Sequence, residues 1–301
     1  MQHKEFEQDA RIGASALTKA IRRYQTPDGV ELVADDAGPL AAPAVILLHG
    51  GGQTRHSWSG AMNALIMRGY RVINFDARGH GDSDWSQSGA YELDDRVSDL
   101  NVIVSTLDAP FALVGASLGG ATAIHAVATG TNPEAVVLVD IVPHPDRVGI
   151  DRIVGFMRGN PDGFADLDDA ALAVARYNPE RARPSSPSGL MRNLRLQTNG
   201  RLHWHWDPRI VDAEPEKQLE LITHSAKVLG KRPDLPVLLV RGLKSDVVTD
   251  AGVAAFKAIL PSLEVSDVAG AGHMVAGDRN DAFNSSVIDF LWRNLPIHSH
   301  Q

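Results

Sequence analysis

Twenty residues, Phe111 to Gly130, constrain this chain more than any others. An apolar run of β type, Phe111-Ala112-Leu113-Val114, ends at Gly115. Ser117 follows within Gly115-Ala116-Ser117-Leu118-Gly119, and a small-residue helical run begins at once. That order predicts a strand, a sharp turn with a serine at its tip, and a helix. A serine held there sits in strained backbone space, so the residues two away on each side have to be small. The helix N-terminus then aims its free N–H groups and its positive dipole end at any anion formed beside the hydroxyl. In a chain with 27 glycines the pentapeptide alone says little. The strand before it and the helix after it give it weight.

The flanking sequence repeats the strand–helix alternation. Ile21 to Thr26 and Val30 to Ala34, joined through Asp28-Gly29, predict a β-hairpin. Ala44-Val45-Ile46-Leu47-Leu48 and Ala135 to Asp140 are continuous apolar runs of the kind buried in parallel sheets. Arg71 to Phe75, Pro236 to Arg241 and Leu263 to Val268 predict further strands. Helical spacing covers Trp58 to Arg68, Leu93 to Leu107, Thr249 to Leu260 and Asp281 to Asn294. Residues 1–20 read as a polar extension, and the run from Gly277 to Asp281 as the start of the last helix. Between Ile141 and Pro233 the rhythm breaks into short helical patterns with many prolines. The expected fold is therefore α/β, a mostly parallel doubly wound sheet, with residues 1–140 and 234–301 as its core. Residues 141–233 form a largely helical cap inserted after the sixth strand. His49, Asp76, Ser117, Asp140, Asp246 and His273 each fall at or just after a strand end, and such ends converge on one edge of the sheet.

Composition narrows the chemistry. The 301 residues are 44% hydrophobic and 22% charged, with a net charge of −8. An acidic, interspersed charge pattern disfavours nucleic acid and anionic membranes as partners. There is no cysteine, which removes thiol catalysis, disulfides and cysteine–zinc sites. No leader-like or membrane-length apolar run is present, so a cytoplasmic location is expected. No dinucleotide fingerprint or P-loop calls for a cofactor. His203 and His205, spaced i and i+2, suggest no third metal ligand nearby, so they are expected to be structural or pocket-lining, and no metal is expected.

Serine nucleophiles need a base to take their proton and a carboxylate to orient that base. The chain supplies Ser117, then Asp246 in Gly242-Leu243-Lys244-Ser245-Asp246, then His273 in Gly270-Ala271-Gly272-His273, in the order serine, acid, histidine. Asp140 and Asp250 are the other carboxylates placed to act as the acid. With these residues the chain resembles the α/β-hydrolase superfamily over roughly Ile21 to Leu295. The resemblance implies Ser117 as nucleophile, His273 as base and Asp246 as acid. It also implies an oxyanion hole from the N–H groups of Leu118 and of Gly51 or Gly52, in His49-Gly50-Gly51-Gly52. Asp76-Ala77-Arg78-Gly79-His80-Gly81-Asp82-Ser83 is similar to the D-x-R-G-x-G-x-S loop of cap-bearing members such as epoxide hydrolases, dehalogenases and C–C hydrolases. A structural role is expected for it here, with Asp76 and Arg78 pairing and the glycines turning. Trp58, Trp204 and Trp206 are the candidate walls of a substrate pocket.

The identity of the nucleophile selects among reactions. The epoxide hydrolases and dehalogenases that this chain resembles carry aspartate at the elbow, and here it is serine. Attack by serine on an alkyl carbon would leave an ether that water does not cleave, whereas attack on an acyl carbon leaves a hydrolysable ester. Hydrolysis of a carboxyl ester, lactone or thioester of a small, neutral or apolar acyl substrate is the expected activity. C–C bond hydrolysis of a diketone-like substrate is one alternative, favoured if Arg176, Arg181, Arg183, Arg192 or Arg195 lines the site. Perhydrolysis and slow-turnover ligand sensing are the others.

Overall fold

A computed structural model describes residues 19–179, 186–212, 214–273, 275 and 280–297. Residues 1–18 of the expected polar extension, Arg181, Arg183 and residues 277–279 before the last helix lie outside these described residues, and Ala20 already belongs to the first strand. Ten strands are found among the described residues: β1 (Ala20–Gln25), β2 (Glu31–Ala37), β3 (Ala44–Leu48), β4 (Arg71–Phe75), β5 (Phe111–Ala116), β6 (Ala135–Val139), β7 (Leu194–Leu196), β8 (Leu202–Trp204), β9 (Val237–Gly242) and β10 (Glu264–Val268). The helices are α1 (Ser59–Met67), α2 (Leu93–Val104), α3 (Leu118–Ala128), α4 (Arg147–Arg158), α5 (Leu167–Tyr177), α6 (Pro215–Leu229), α7 (Asp250–Ile259) and α8 (Asn280–Asn294).

Eight strands form one sheet in the order β1-β2-β4-β3-β5-β6-β9-β10. The β1–β2 hairpin and the β2–β4 pair are antiparallel, and the pairs from β4 onward are parallel. The expected doubly wound sheet is therefore the observed one. Strand period and burial explain its two faces. All five residues of β3 are buried, and alternate side chains enter opposite cores: Ile46 and Leu48 on one side, Val45 and Leu47 on the other. The first face is covered by α2, α3, α6 and α7, through residues such as Leu100, Ile124, Leu229 and Phe256. The second is covered by α1 and α8, through Met62, Leu65, Phe283 and Leu291.

The expected cap, 141–233, divides differently in the structure. α6 lies against α3 in the core layer, with Ala226 and Leu229 fully buried in the main core cluster. A hydrogen bond of 2.9 Å joins His125 Nδ1 to Ser225 Oγ across that interface. α4, α5, the β7–β8 hairpin and intervening 3₁₀ turns form the separate layer at the strand ends, so that layer is mixed rather than mostly helical. It has its own apolar cluster of Met157, Phe164, Ala170, Leu194, Leu202, Trp204, Trp206 and Ile210, joined by Tyr91 from the loop before α2. The amphipathic pattern of α6 announces a helix with one buried face, but does not say which body covers that face.

Candidate active site

β5 runs into α3 through Ser117, whose backbone has φ 45° and ψ −113°. This is a sparsely populated region for a residue with a side chain, and it persists because its surroundings fix it. The flanking glycines are required for space. A Cβ on Gly115 would lie 2.4 Å from the Gly119 carbonyl oxygen, and one on Gly119 would lie 2.2 Å from that of Leu48. Strand, turn and helix thus meet closely enough that the serine is lifted out at the tip. Ser117 donates its N–H to the Val139 carbonyl (2.9 Å) and accepts from Ala121 N–H (2.9 Å).

The neighbouring strand end carries Asp140. Its side chain is fully buried and its φ is 49°. It accepts from Gly242 N–H (3.1 Å) and from the Ser245 hydroxyl. It also holds the His273 ring, with Nδ1 2.7 Å from Oδ2. A carboxylate accepts, so Nδ1 carries the hydrogen, and in the neutral ring that tautomer leaves the lone pair on the far nitrogen, Nε2. Since Ser117 N–H is bonded to the residue preceding Asp140, the elbow and the Asp140–His273 pair share one corner of the sheet edge.

Asp246, expected as the acid, is not on His273. Its carboxylate pairs with Arg152 of α4 at 3.0 Å, and its side chain is 34% exposed. Gly149 of the same helix packs on its carbonyl, and Asp146 donates its N–H to the Val247 carbonyl (2.8 Å). The loop after β9 thus seats α4, and its Ser245 bonds the Asp140 carboxylate that holds the histidine. Asp250 pairs with Arg241 instead. Ser245 is a site residue that sequence reasoning missed. A serine one residue before an aspartate carries no signal of its own.

The glycine loop after β3 separates its two amide candidates. Gly50 N–H bonds Gln53 Oε1 (3.1 Å) and Gly52 N–H bonds His80 Nε2 (3.1 Å). Gly51 N–H has no partner among the described residues, nor does Leu118 N–H at the first turn of α3. Two free donors therefore remain near Ser117, from Leu118 and Gly51, and Gly52 is removed from the expected pair.

Asp76 and Arg78 do not pair with each other. Asp76 accepts from Arg55, through both N–H (2.7 Å) and guanidinium, and from Asp82 N–H (2.9 Å). Arg78 is buried in a two-pronged pair with Asp99 and also reaches Asp28. Both side chains brace the loop, each with its own partner.

The tryptophans separate as well. Trp58 is 1% exposed on the opposite face of the sheet, against Phe283, and is core. Trp204 packs among Phe156, Phe164 and Trp206 inside the α4–β8 layer. Trp206, stacked on Trp204, reaches the glycine loop: a Cβ on Gly52 would lie 3.4 Å from its ring and 3.6 Å from Met157. His203 lies near Asn199, and His205 turns inward to the Asp76–Ser83 loop, so the two share no face. No group of three metal-ligating side chains occurs among the described residues.

These features match known proteins. The sequence model of the α/β-hydrolase fold family matches residues 43–279. An esterase of Mycobacterium tuberculosis, Rv0045c, is 32% identical over 232 residues, 71% of this chain and 70% of that protein. Its crystal structure superposes with a TM-score of 0.71 over 95% of both chains. A non-heme chloroperoxidase of Burkholderia pyrrocinia is 27% identical over 282 residues, 88% of this chain and 98% of the relative. The crystal structure of an E-2-(acetamidomethylene)succinate hydrolase, 23% identical, gives a TM-score of 0.77 over 91% of this chain and 99% of the other. The strained serine between strand and helix, the sheet order and the family match agree: this chain belongs to the α/β-hydrolase fold family and is a hydrolase built on it.

Proposed function

We propose that this protein hydrolyses a carboxyl ester, lactone or thioester through an acyl-serine intermediate. Ser117 Oγ attacks the acyl carbon while His273 Nε2 takes its proton. The tetrahedral oxyanion is held by the N–H groups of Leu118 and Gly51. Collapse expels the alcohol or thiol, which receives the proton from His273. Water then repeats the sequence on the acyl-serine and releases the acid. Asp140, in place of Asp246, keeps the imidazole in the required tautomer and offsets its charge when protonated. The single observation that carries this reading is the 2.7 Å bond between His273 and a fully buried carboxylate one residue beyond the partner of the Ser117 amide. The 32% identity to an esterase supports the ester as the bond cleaved.

Turnover of p-nitrophenyl acetate and butyrate by wild type and Ser117→Ala tests the reading. The variant is expected to lose about 10³-fold or more in kcat. Equal rates in the two proteins would end the proposal. The likeness to a non-heme chloroperoxidase favours one second reading, in which hydrogen peroxide replaces water on the same acyl-serine and a peracid is released. Peroxide-dependent bromination of a dye in acetate buffer, lost in Ser117→Ala, is its readout.

A further inference from the structure

Three histidine rings stand in a row between the cap layer and the glycine loop. His49 and His80 meet edge to face at 5.0 Å between centroids, and His80 and His205 lie 5.9 Å apart. Each is at most 3% exposed. Each accepts a main-chain N–H through one nitrogen: His49 Nε2 from Ala77 (2.9 Å), His80 Nε2 from Gly52 (3.1 Å) and His205 Nδ1 from Gly81 (2.8 Å). An accepting ring nitrogen carries no hydrogen, so all three rings are neutral. Burial acts in the same direction, holding each ring below the usual histidine range, His205 at about 3.

Two of the remaining nitrogens are directed as closely. His49 Nδ1–H donates to the Gly50 carbonyl (2.8 Å) and His80 Nδ1–H to that of Arg78 (3.1 Å). His205 Nε2 is buried without a hydrogen-bond partner among the described residues, and its ring lies tilted against that of His80. Gly52 is therefore held through its N–H by a histidine of the Asp76–Ser83 loop, and that histidine packs against one from the α4–β8 layer. Its φ of 70° is a conformation that glycine visits freely, so without an anchor the peptides on either side could rotate. The amide just before it, Gly51 N–H, is the one of the glycine loop's two candidates left without a partner among the described residues.

We propose that His80 is a positioning residue for ester hydrolysis. By accepting the Gly52 N–H it fixes the peptide adjoining the Gly51 donor, and the His205 ring of the α4–β8 layer packs against the His80 ring. This rests on the acyl-serine reading above. Two substitutions separate the chemistry from the shape. His80→Leu removes both ring nitrogens, whereas His80→Gln offers a carbonyl for Gly52 N–H and an amide for the Arg78 carbonyl.

The test is steady-state hydrolysis of p-nitrophenyl butyrate, normalised to Ser117 titrated with a fluorophosphonate, beside hydrogen–deuterium exchange of the peptide spanning 48–54. His80→Leu is expected to lower kcat per titrated site about tenfold, less than the loss of a whole oxyanion donor, with KM within about twofold. Exchange at 48–54 should quicken, and His80→Gln should recover most of both. A merely structural histidine would lower the melting temperature and the titratable fraction while leaving kcat per site unchanged, and that result overturns the proposal. Unchanged exchange in His80→Leu overturns it independently of any activity. A wild type that turns over no ester overturns the underlying reading instead, and the exchange data then decide alone whether His80 anchors the loop.

Discussion

Asp140 and Asp246 follow the ends of neighbouring strands, β6 and β9, yet the two carboxylates have different fates. Asp140 is fully buried and accepts from a main-chain amide, a serine hydroxyl and an imidazole. Asp246 is one-third exposed and shares a charge with Arg152, which is itself half exposed and lies near the Tyr177 ring. The first is a buried group whose hydrogen bonds are provided by the fold, and removing such a group leaves its partners stranded. The second is a rim pair of the sort that contributes little in water. Standing at a strand end is shared by both, so position alone does not make a carboxylate an orienting group. Burial with fixed donors does.

The largest expected effect breaks the pair apart directly. Asp140→Asn keeps the shape but offers an amide where His273 Nδ1–H needs an anion, and so favours the wrong tautomer. We expect kcat on p-nitrophenyl esters to fall about 10³–10⁴-fold. Asp246→Asn should leave kcat within about threefold, because it touches neither ring nor serine. The reverse result would restore Asp246 as the acid and would mean that the loop after β9 rearranges in solution.

The same contrast between buried and rim groups has a pH signature. His49, His80 and His205 are buried neutral, each with its pKa lowered chiefly by burial, and the half-buried His56 is lowered for the same first reason. An unfolded chain protonates these histidines below about pH 6.5, whereas the folded chain refuses the protons. Stability is therefore complete above about pH 7 and declines as pH falls through 6 toward 5. Each fully buried ring contributes a slope of at most about 1.4 kcal/mol per pH unit. Urea midpoints at pH 8, 7, 6 and 5 measure it, and His205→Gln should flatten the slope. A stability that stays level from pH 7 to pH 5 would mean that the rings carry protons in the fold and that the hydrogen-bond assignment is wrong.

How much of this was legible beforehand follows the same division. The sheet was readable because β3, β5, β6 and β9 are buried on both faces, which writes a continuous apolar run into the sequence. The elbow was readable because only small residues fit at Gly115 and Gly119. The choice between Asp140 and Asp246 was not. It depends on a left-handed turn at Asp140 and on Ser245 reaching across from the loop after β9, 105 residues later. Trp58 looked available for a pocket because an aromatic side chain gives no hint of which side of the sheet it packs on. His80 and His205 come together from positions 125 apart in the chain, and neither has a local pattern that names the other.

The smallest expected effect lies at the rim and sharpens the comparison from the other side. Arg152 and Asp246 are 49% and 34% exposed as side chains, so solvent screens their attraction, and holding two mobile side chains together costs entropy. The seating of α4 on this loop has other anchors: Gly149 against the Asp246 carbonyl, and the Asp146 to Val247 hydrogen bond. A double-mutant cycle with Arg152→Ala and Asp246→Ala should therefore give a coupling of about 0.5 kcal/mol or less in stability, and 1 M salt should erase most of it. Ester turnover should change by no more than about twofold in either single variant. A coupling several times larger that persists in salt would show a desolvated pair that locks the α4–β8 layer down. Asp246 would then matter to the site through α4, although its carboxylate stays off the histidine.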